Sequence, residues 1–142
     1  MELFHNDYNI MCHPAILERM NQDAERQMNG YGIDDCCQSC QSAADKIRKL
    51  CQNERLAVHF LVGGTQTNLT VIDAALRSYQ AVLGADSAHI NVHETGAVEA
   101  TGHKVLWVPS QDGKITADQI DRVVTAHFAD DSAEHTAQPK MV

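Results

Sequence analysis

Hydrophobic residues recur along this chain at two different spacings, and the changes of spacing predict alternating helices and strands. Pro14 is well placed in the first turn of a helix that runs to about Gln27, and residues 35–50 carry apolar side chains at helical spacing. Three shorter apolar runs are typical of buried strands and occupy residues 56–62, 81–85 and 104–108. Strands that alternate with helices predict an α/β fold with a mostly parallel sheet.

The second half of the chain carries clearer helix and turn signals. Apolar residues at helical spacing predict a helix that begins near Thr65 and runs to Tyr79. Thr116 opens a Thr-x-x-Gln capping box that starts another helix, after a turn at residues 111–114. Residues 138–142 look like the start of a further strand. Because a domain rarely ends at the beginning of an apolar element, we expect the sequence to be part of a longer protein.

Composition and charge narrow the class of protein. A chain of 142 residues with 44% hydrophobic content is long enough for one domain with a core. The formal charge of -8, with no cluster of Lys and Arg, argues against a nucleic-acid-binding surface. No basic leader followed by an apolar stretch is present at the start, and no apolar run is long enough to span a bilayer. We therefore expect a cytoplasmic protein that binds neither nucleic acid nor membrane.

A glycine pair, Gly63 and Gly64, separates the first predicted strand from the helix that follows it. Glycine allows a sharp turn and a close approach of a ligand to the backbone, and Thr65 and Thr67 are good N-cap residues. The unsatisfied N–H groups and the positive end of a helix dipole favour a phosphate ester at such a turn. The alternative is a tight turn with an ordinary helix cap. The segment lacks the lysine of a Walker loop and the third glycine of a dinucleotide-binding motif.

Four cysteines lie close together, and they raise the question of metal or redox chemistry. Three of them fall in the first turns of the helix predicted for residues 35–50, where small apolar residues are the simpler explanation. No second C-x-x-C and no paired histidines at finger-like spacing follow, so we predict no metal at this cluster. The four residues are Cys36, Cys37, Cys40 and Cys51.

Two histidines and a glutamate form a second candidate for chemistry. His89, His93 and Glu94 lie within six residues, and a helix would place both imidazoles on one face, a spacing that can bind zinc. An imidazole can instead be a flat surface for a flat ligand or a proton shuttle near neutral pH.

Tyr31 lies in a glycine-rich loop that is expected to expose its side chain. The alternative is that Tyr31 is a partly buried anchor.

Several motifs, in the same order, resemble the N-terminal half of the low-specificity threonine aldolases, which belong to the aromatic amino acid β-eliminating lyases. They are Asn6-Asp7-Tyr8, residues 13–17, 30–34 and 58–68, and a stretch from His89 to Thr116. The resemblance covers essentially the whole chain. It implies the large domain of pyridoxal-phosphate fold type I, the aspartate-aminotransferase-like fold. Residues 1–28 would form an N-terminal arm and helix, and residues 29–142 the first part of the cofactor-binding large domain.

The resemblance also implies site residues. Gly63, Gly64 and Thr65 match the turn that binds the phosphate of pyridoxal 5′-phosphate. His89 matches the histidine that stacks on the cofactor ring and can assist proton transfer. Glu94 matches an acidic residue that could orient or tune the site.

Two further positions imply contacts with substrate and partner. Tyr31 matches a loop tyrosine that reaches into the neighbouring subunit's site, which implies a homo-oligomer, a dimer or tetramer. Asn6 lies where members of the family commonly carry a serine that contacts the substrate carboxylate.

The activity implied by the resemblance is cleavage of L-threonine or a related β-hydroxy-α-amino acid to glycine and an aldehyde. The family's Schiff-base lysine, and the aspartate and arginine that act with it, would lie beyond Val142. We therefore expect this chain alone to be inactive and its strand edges to be exposed, so that it aggregates or depends on a partner. The alternatives are a β-eliminating amino acid lyase on the same scaffold, a nonenzymatic remnant that binds subunits, and a metal-binding module.

Overall fold

The computed structural model describes residues 12–26 and 38–142, which fall into two compact units on either side of the bond between Val58 and His59. The first unit contains two described helices. Helix α1 spans Pro14–Gln22 and α2 spans Gln38–Leu50. The remaining helices and all the strands found among the described residues belong to the second unit.

Helix α1 begins as the sequence predicts but ends earlier. The side chain of His13 caps it by accepting a hydrogen bond from the backbone N–H of Ala15 at 3.2 Å. The prediction that it continues to about Gln27 is wrong, because the helix ends at Gln22 and a turn follows. Asp23 takes the C-cap position and binds Arg19 at 2.6 Å, and aspartate favours such ends over helix interiors.

The second unit is built on a three-stranded parallel sheet. Its strands are β1 (Gln80–Ala85), β2 (Lys104–Val108) and β3 (Gln138–Met141), and their spatial order is β2-β1-β3. Val82 pairs with Val105 on one side and with Met141 on the other, with an irregularity between Ala81 and Val82 in the pairing with β3. The predicted strands at 81–85 and 104–108, and the approach to a strand at 138–142, are confirmed.

Helices cover both faces of this sheet. Helix α3 (Gly64–Ala75) and the short α5 (Ala97–Ala100) pack on one face, where they form the hydrophobic core. Helix α6 (Ala117–Ala129) lies against the other face, where Val124 and Phe128 line a groove of about 270 Å³ together with Leu83. The core consists of Ile72, Leu76, Val82, Val98 and Val105. The one-turn helix α4 (His89–Val92) follows β1, and a 3₁₀ turn at Ala133–His135 precedes β3.

The predicted strand at residues 56–62 is wrong. This segment is irregular, and Phe60 and Val62 are 57% and 96% exposed. A strand needs a neighbour to accept and donate its ladder hydrogen bonds, and within the described residues the sheet offers this segment none. Apolar character alone therefore does not make it a strand.

The predicted starts of α3 and α6 are confirmed, and the predicted end of α3 is wrong. Helix α3 starts at Gly64, within one residue of the prediction, but ends at Ala75 instead of Tyr79. The backbone of Leu76 is extended, with φ -106° and ψ 150°, because β1 begins only four residues later. The capping box at the start of α6 is confirmed, with the Thr116 side chain accepting from the backbone of Gln119 at 3.3 Å.

The buried imidazole of His103 joins three elements of the second unit. It lies directly before β2, with Nδ1 3.3 Å from the carbonyl oxygen of Gln80 in β1 and Nε2 3.7 Å from a carboxylate oxygen of Asp73 in α3. The side chain is only 3% exposed. A buried polar group that loses its partner costs stability, so His103 ties α3 to the sheet.

We predict that His103→Ala lowers the free energy of unfolding by about 1–3 kcal/mol, because it leaves a cavity and the Gln80 carbonyl without its partner. Urea unfolding of the chain, followed by circular dichroism, measures the loss. The control is His135→Ala, whose side chain is 77% exposed and should change stability by about 0.5 kcal/mol or less. Equal effects of the two substitutions would contradict the role given to His103.

Candidate functional site

The first turn of α3 presents backbone donors to open space. The first hydrogen bond of the helix runs from the N–H of Thr67 to the carbonyl of Gly63 at 3.0 Å, and the Thr67 hydroxyl donates to the same oxygen at 2.9 Å. The N–H groups of Gly64, Thr65 and Gln66 therefore precede the intrahelical ladder. Thr65 is exposed in this turn.

The two glycines keep this turn accessible. Gly63 is the N-cap with φ -165° and ψ 168°, an extended conformation that any residue adopts, so the backbone at this position does not require glycine. A Cβ atom added at Gly63 or Gly64 would meet no protein atom within 4 Å. Glycine therefore leaves room for a ligand at the N–H groups. Thr65 is not the N-cap either, since it already lies inside the helix.

The second part of the site lies beyond the carboxyl end of β1, where α4 begins with His89. The loop before it is fastened to the end of β2 by Asp86, whose carboxylate accepts from the backbone N–H of Ser110 at 3.1 Å and from its hydroxyl at 2.5 Å. Asn91 adds a hydrogen bond from its side-chain amide to the backbone oxygen of Asp86 at 2.7 Å. These bonds fix the segment that carries His89.

A buried carboxylate connects the two parts. Glu94 accepts through one oxygen, Oε1, from the Nδ2 group of Asn68 at 2.7 Å and lies 2.8 Å from Nδ1 of His89. Its side chain is fully buried, whereas the His89 side chain is 63% exposed. Asn68 stands in the second turn of α3, so a polar network links the helix that starts at the glycines to the loop after β1.

The network settles how the imidazole of His89 is held. The Nδ1 atom of His89 lies next to Oε1 of Glu94, and a carboxylate in its ionised form accepts the Nδ1 hydrogen and leaves Nε2 without one. The ring of His93 lies 5.3 Å from that of His89, centroid to centroid, with a tilt of 47°. The exposed face and Nε2 of His89 can therefore serve as a flat contact and a proton acceptor.

The structure brings some of the predicted site residues together, whereas others lie outside the described residues. His89 and Glu94 are in direct contact, and Gly63, Gly64 and Thr65 form the start of the helix that supplies Asn68. Asn6 and Tyr31 lie outside the described residues, so their roles stay predictions.

The described part of the chain contains no assembled metal site. No group of three or more His, Cys, Asp or Glu side chains there is placed to hold a metal ion. Cys51 is an exposed free thiol, whereas Cys36, Cys37 and the side chain of Cys40 lie outside the described part of the chain. The Nδ1 atom of His89 is also already engaged by Glu94.

Sequence reasoning missed Asn68, although a signal for it exists. Asn68 precedes Ile72 and Leu76 at intervals of four residues, which puts a polar amide on the buried stripe of α3. A polar residue in such a stripe requires a partner, and the partner here is Glu94. The spacing predicts that some partner exists, whereas only the fold identifies it.

Comparisons with known proteins identify relatives of this chain. The sequence model described as beta-eliminating lyase matches residues 11–142. The chain is 33% identical over 122 residues to a low specificity L-threonine aldolase from Pseudomonas sp. (strain NCIMB 10558), which covers 83% of this chain and 33% of that relative. A low specificity L-threonine aldolase from Pseudomonas aeruginosa is 30% identical over 119 residues, covering 81% of this chain and 32% of the relative. The chain thus spans about a third of the length of these curated relatives.

A solved structure supports the same relationship. The structure of threonine aldolase from Leishmania major superposes with a TM-score of 0.85 and 42% sequence identity, covering 95% of this chain and 37% of that one. The resemblance inferred from the motifs and the expected α/β architecture of pyridoxal-phosphate fold type I are confirmed. Within the described residues, no helix has both the length and the hydrophobicity that crossing a bilayer requires.

We predict that Asp86→Asn destabilises the chain at neutral pH and that this effect fades in acid. Hydrogen bonding by the Ser110 side chain, helped by the backbone N–H groups of Ser87 and Ser110, holds the pKa of Asp86 below its ordinary value of 3.8. A carboxylate with a lowered pKa in the folded state contributes stability above its unfolded pKa and loses it as the pH falls through the folded one. Urea unfolding at pH 7 and again below pH 3.8 measures this dependence.

The matched control is Asp131→Asn, an exposed aspartate in the loop after α6. It should leave stability nearly unchanged at both pH values. A destabilisation by Asp86→Asn that is the same in acid as at neutral pH would show that the charge of Asp86 is not what fastens the loop.

Proposed function

Since the chain belongs to the β-eliminating lyase family, we propose that it is part of a pyridoxal 5′-phosphate-dependent lyase of the threonine aldolase type. The proposed reaction cleaves L-threonine or a related β-hydroxy-α-amino acid to glycine and an aldehyde. The observation that carries the proposal is the contact between Glu94 and both His89 and Asn68, which joins a proton acceptor to the helix that starts at the glycine pair. The names of the relatives supply the substrate class.

The phosphate of the cofactor would bind at the first turn of α3. The N–H groups there precede the first intrahelical hydrogen bond, and the positive end of the helix dipole favours an anion. The space in front of Gly63 and Gly64 is free of protein atoms within 4 Å of an added Cβ, which fits a bulky ester. Thr65 would add its hydroxyl to the backbone donors.

His89 would bind the flat ring of the cofactor and handle the substrate proton. When bound, pyridoxal phosphate supplies an electron sink for the pair released from the breaking Cα–Cβ bond. The Nε2 atom of His89 accepts the proton of the substrate β-hydroxyl as that oxygen becomes the carbonyl oxygen of the aldehyde. Glu94 holds the opposite nitrogen of the ring at 2.8 Å and stabilises the positive charge that His89 gains.

The remaining roles rest on the family resemblance. Asn6 would contact the substrate carboxylate, and Tyr31 would reach the site of a neighbouring subunit. We accordingly propose a cytoplasmic homo-oligomer, either a dimer or a tetramer, for the complete enzyme.

The phosphate site is tested by closing the space in front of the helix. We predict that Gly64→Val weakens binding of pyridoxal phosphate by about tenfold or more, because its side chain occupies the ligand's approach. The fold should tolerate the change, since an added Cβ meets no protein atom within 4 Å. Absorbance titration with pyridoxal phosphate measures the affinity, and pyridoxal without phosphate shows how much of it the ester contributes.

A control variant distinguishes a blocked phosphate site from a general effect of valine on α3. Ala74→Val adds a branched side chain at an exposed position near the other end of α3 and should leave affinity unchanged. Equal affinities of the wild type and Gly64→Val for pyridoxal phosphate would show that the phosphate does not bind at this turn. Equal losses of affinity in Gly64→Val and Ala74→Val would show the same.

We predict that the 142-residue chain alone releases no glycine or acetaldehyde from L-threonine in the presence of pyridoxal phosphate. A lyase of this class needs a lysine to form the Schiff base, and none of the lysines here matches the family's position. These lysines are Lys46, Lys49, Lys104, Lys114 and Lys140. An assay for glycine and acetaldehyde measures the outcome, and turnover by this chain would refute the prediction.

Reading the gene past the codon for Val142 extends the same test. The protein expressed from a reading frame that continues to a Schiff-base lysine should cleave L-threonine. Formation of ammonia and a 2-oxo acid in place of glycine would instead identify the alternative, a β-eliminating lyase on this scaffold.

A further inference from the structure

We propose that Asn68 is a positioning residue that fixes the tautomer of His89 through Glu94. Its amide nitrogen donates to Oε1 of Glu94 at 2.7 Å, and Nδ1 of His89 lies 2.8 Å from that same oxygen. One carboxylate oxygen therefore receives both donors. The three residues come from α3 and from the segment after β1, so the arrangement depends on the packing of the helix against the sheet.

The burial of Glu94 makes the amide donor important. The Glu94 side chain is fully buried, and its other oxygen, Oε2, has no hydrogen-bond partner among the described residues. A buried carboxylate stays ionised only when hydrogen bonds replace the water that it has lost. Asn68 supplies one of the two donors to Oε1 and is a neutral group that cannot change its protonation.

Loss of this donor would change which nitrogen of His89 carries the hydrogen. Without Asn68, Oε1 of Glu94 loses one of its two donors, and a Glu94 carboxyl group that takes up a proton from solvent can donate it to Nδ1 of His89. The hydrogen of the neutral imidazole then moves to Nε2. Asn68 thus keeps Glu94 as an acceptor, which keeps the hydrogen on Nδ1 and leaves Nε2 free to accept a proton.

The consequence for catalysis rests on the proposed function. The base must present an unprotonated Nε2 to the substrate hydroxyl, and the His89 side chain is 63% exposed. Asn68 sits on the same helix as Gly63 and Gly64, so α3 both presents the phosphate donors and sets the base. Asn68 itself touches neither substrate nor cofactor in this scheme.

The tautomer can be read directly in the chain without cofactor or substrate. Long-range ¹H–¹⁵N NMR spectra of the labelled chain, recorded at a pH where His89 is neutral, distinguish the protonated ring nitrogen from the unprotonated one. We expect the hydrogen on Nδ1 in the wild type. In Asn68→Leu, which keeps the size and removes the donor, we expect the two ¹⁵N shifts to exchange or to average.

Asn91→Leu is the matched control. Asn91 also donates through its side-chain amide in the loop beside His89, but to the backbone oxygen of Asp86 and not to Glu94. The His89 tautomer should be unchanged in this variant. Asn68→Asp provides a second test if Asn68→Leu does not fold, because it keeps the shape of the side chain and replaces the donor with an acceptor.

The outcomes separate this inference from the proposed function. A hydrogen that stays on Nδ1 in both Asn68 variants, or that moves equally in Asn91→Leu, overturns the role of Asn68. The expected tautomer change in this chain, together with a longer protein read past Val142 that binds no pyridoxal phosphate, overturns the proposed function and leaves the network intact. A chain that binds pyridoxal phosphate and shows no tautomer change refutes the inference alone.

Discussion

The pairing of β1 on both sides supports nearly everything else in the second unit. Its residues Ala81, Val82 and Leu83 are 0%, 4% and 2% exposed, because strands flank it and helices cover both of its faces. Parallel pairing with β2 brings the carboxyl ends of the two strands to one edge, where Asp86 binds Ser110. The loop that carries His89 starts at this fastened edge, so the position of the imidazole follows from the sheet.

Besides the pairing of the strands, the burial of Glu94 places an electrostatic constraint on the structure. A carboxylate as buried as that of Glu94 must have donors, and it receives them from a helix and a loop that are far apart in sequence. Each donor therefore stabilises both the fold and the geometry of the site. The exposed turn of α3 differs from this network, because the space in front of its two glycines contains no protein atom within 4 Å of an added Cβ.

Much of this could be predicted from local pattern, but not all of it. The capping box at Thr116 and the strands β1 and β2 were predicted from their own residues, and the structure has all three. The run at 56–62 has the same apolar character and is irregular, since a strand exists only where a neighbour pairs with it. The glycine pair lies at the start of α3, where neither backbone conformation requires glycine and an added Cβ would meet no protein atom within 4 Å.

The α/β alternation, the helix that begins at the glycine pair, and the candidates His89 and Glu94 follow from local sequence, because spacing, caps and motifs are properties of neighbouring residues. Which polar groups meet depends on the tertiary structure. Asn68 and Glu94 are 26 residues apart, and their hydrogen bond exists because α3 packs against the sheet beside the loop after β1. Long-range contacts of this kind depend on the packing of whole elements, which no local pattern of residues specifies.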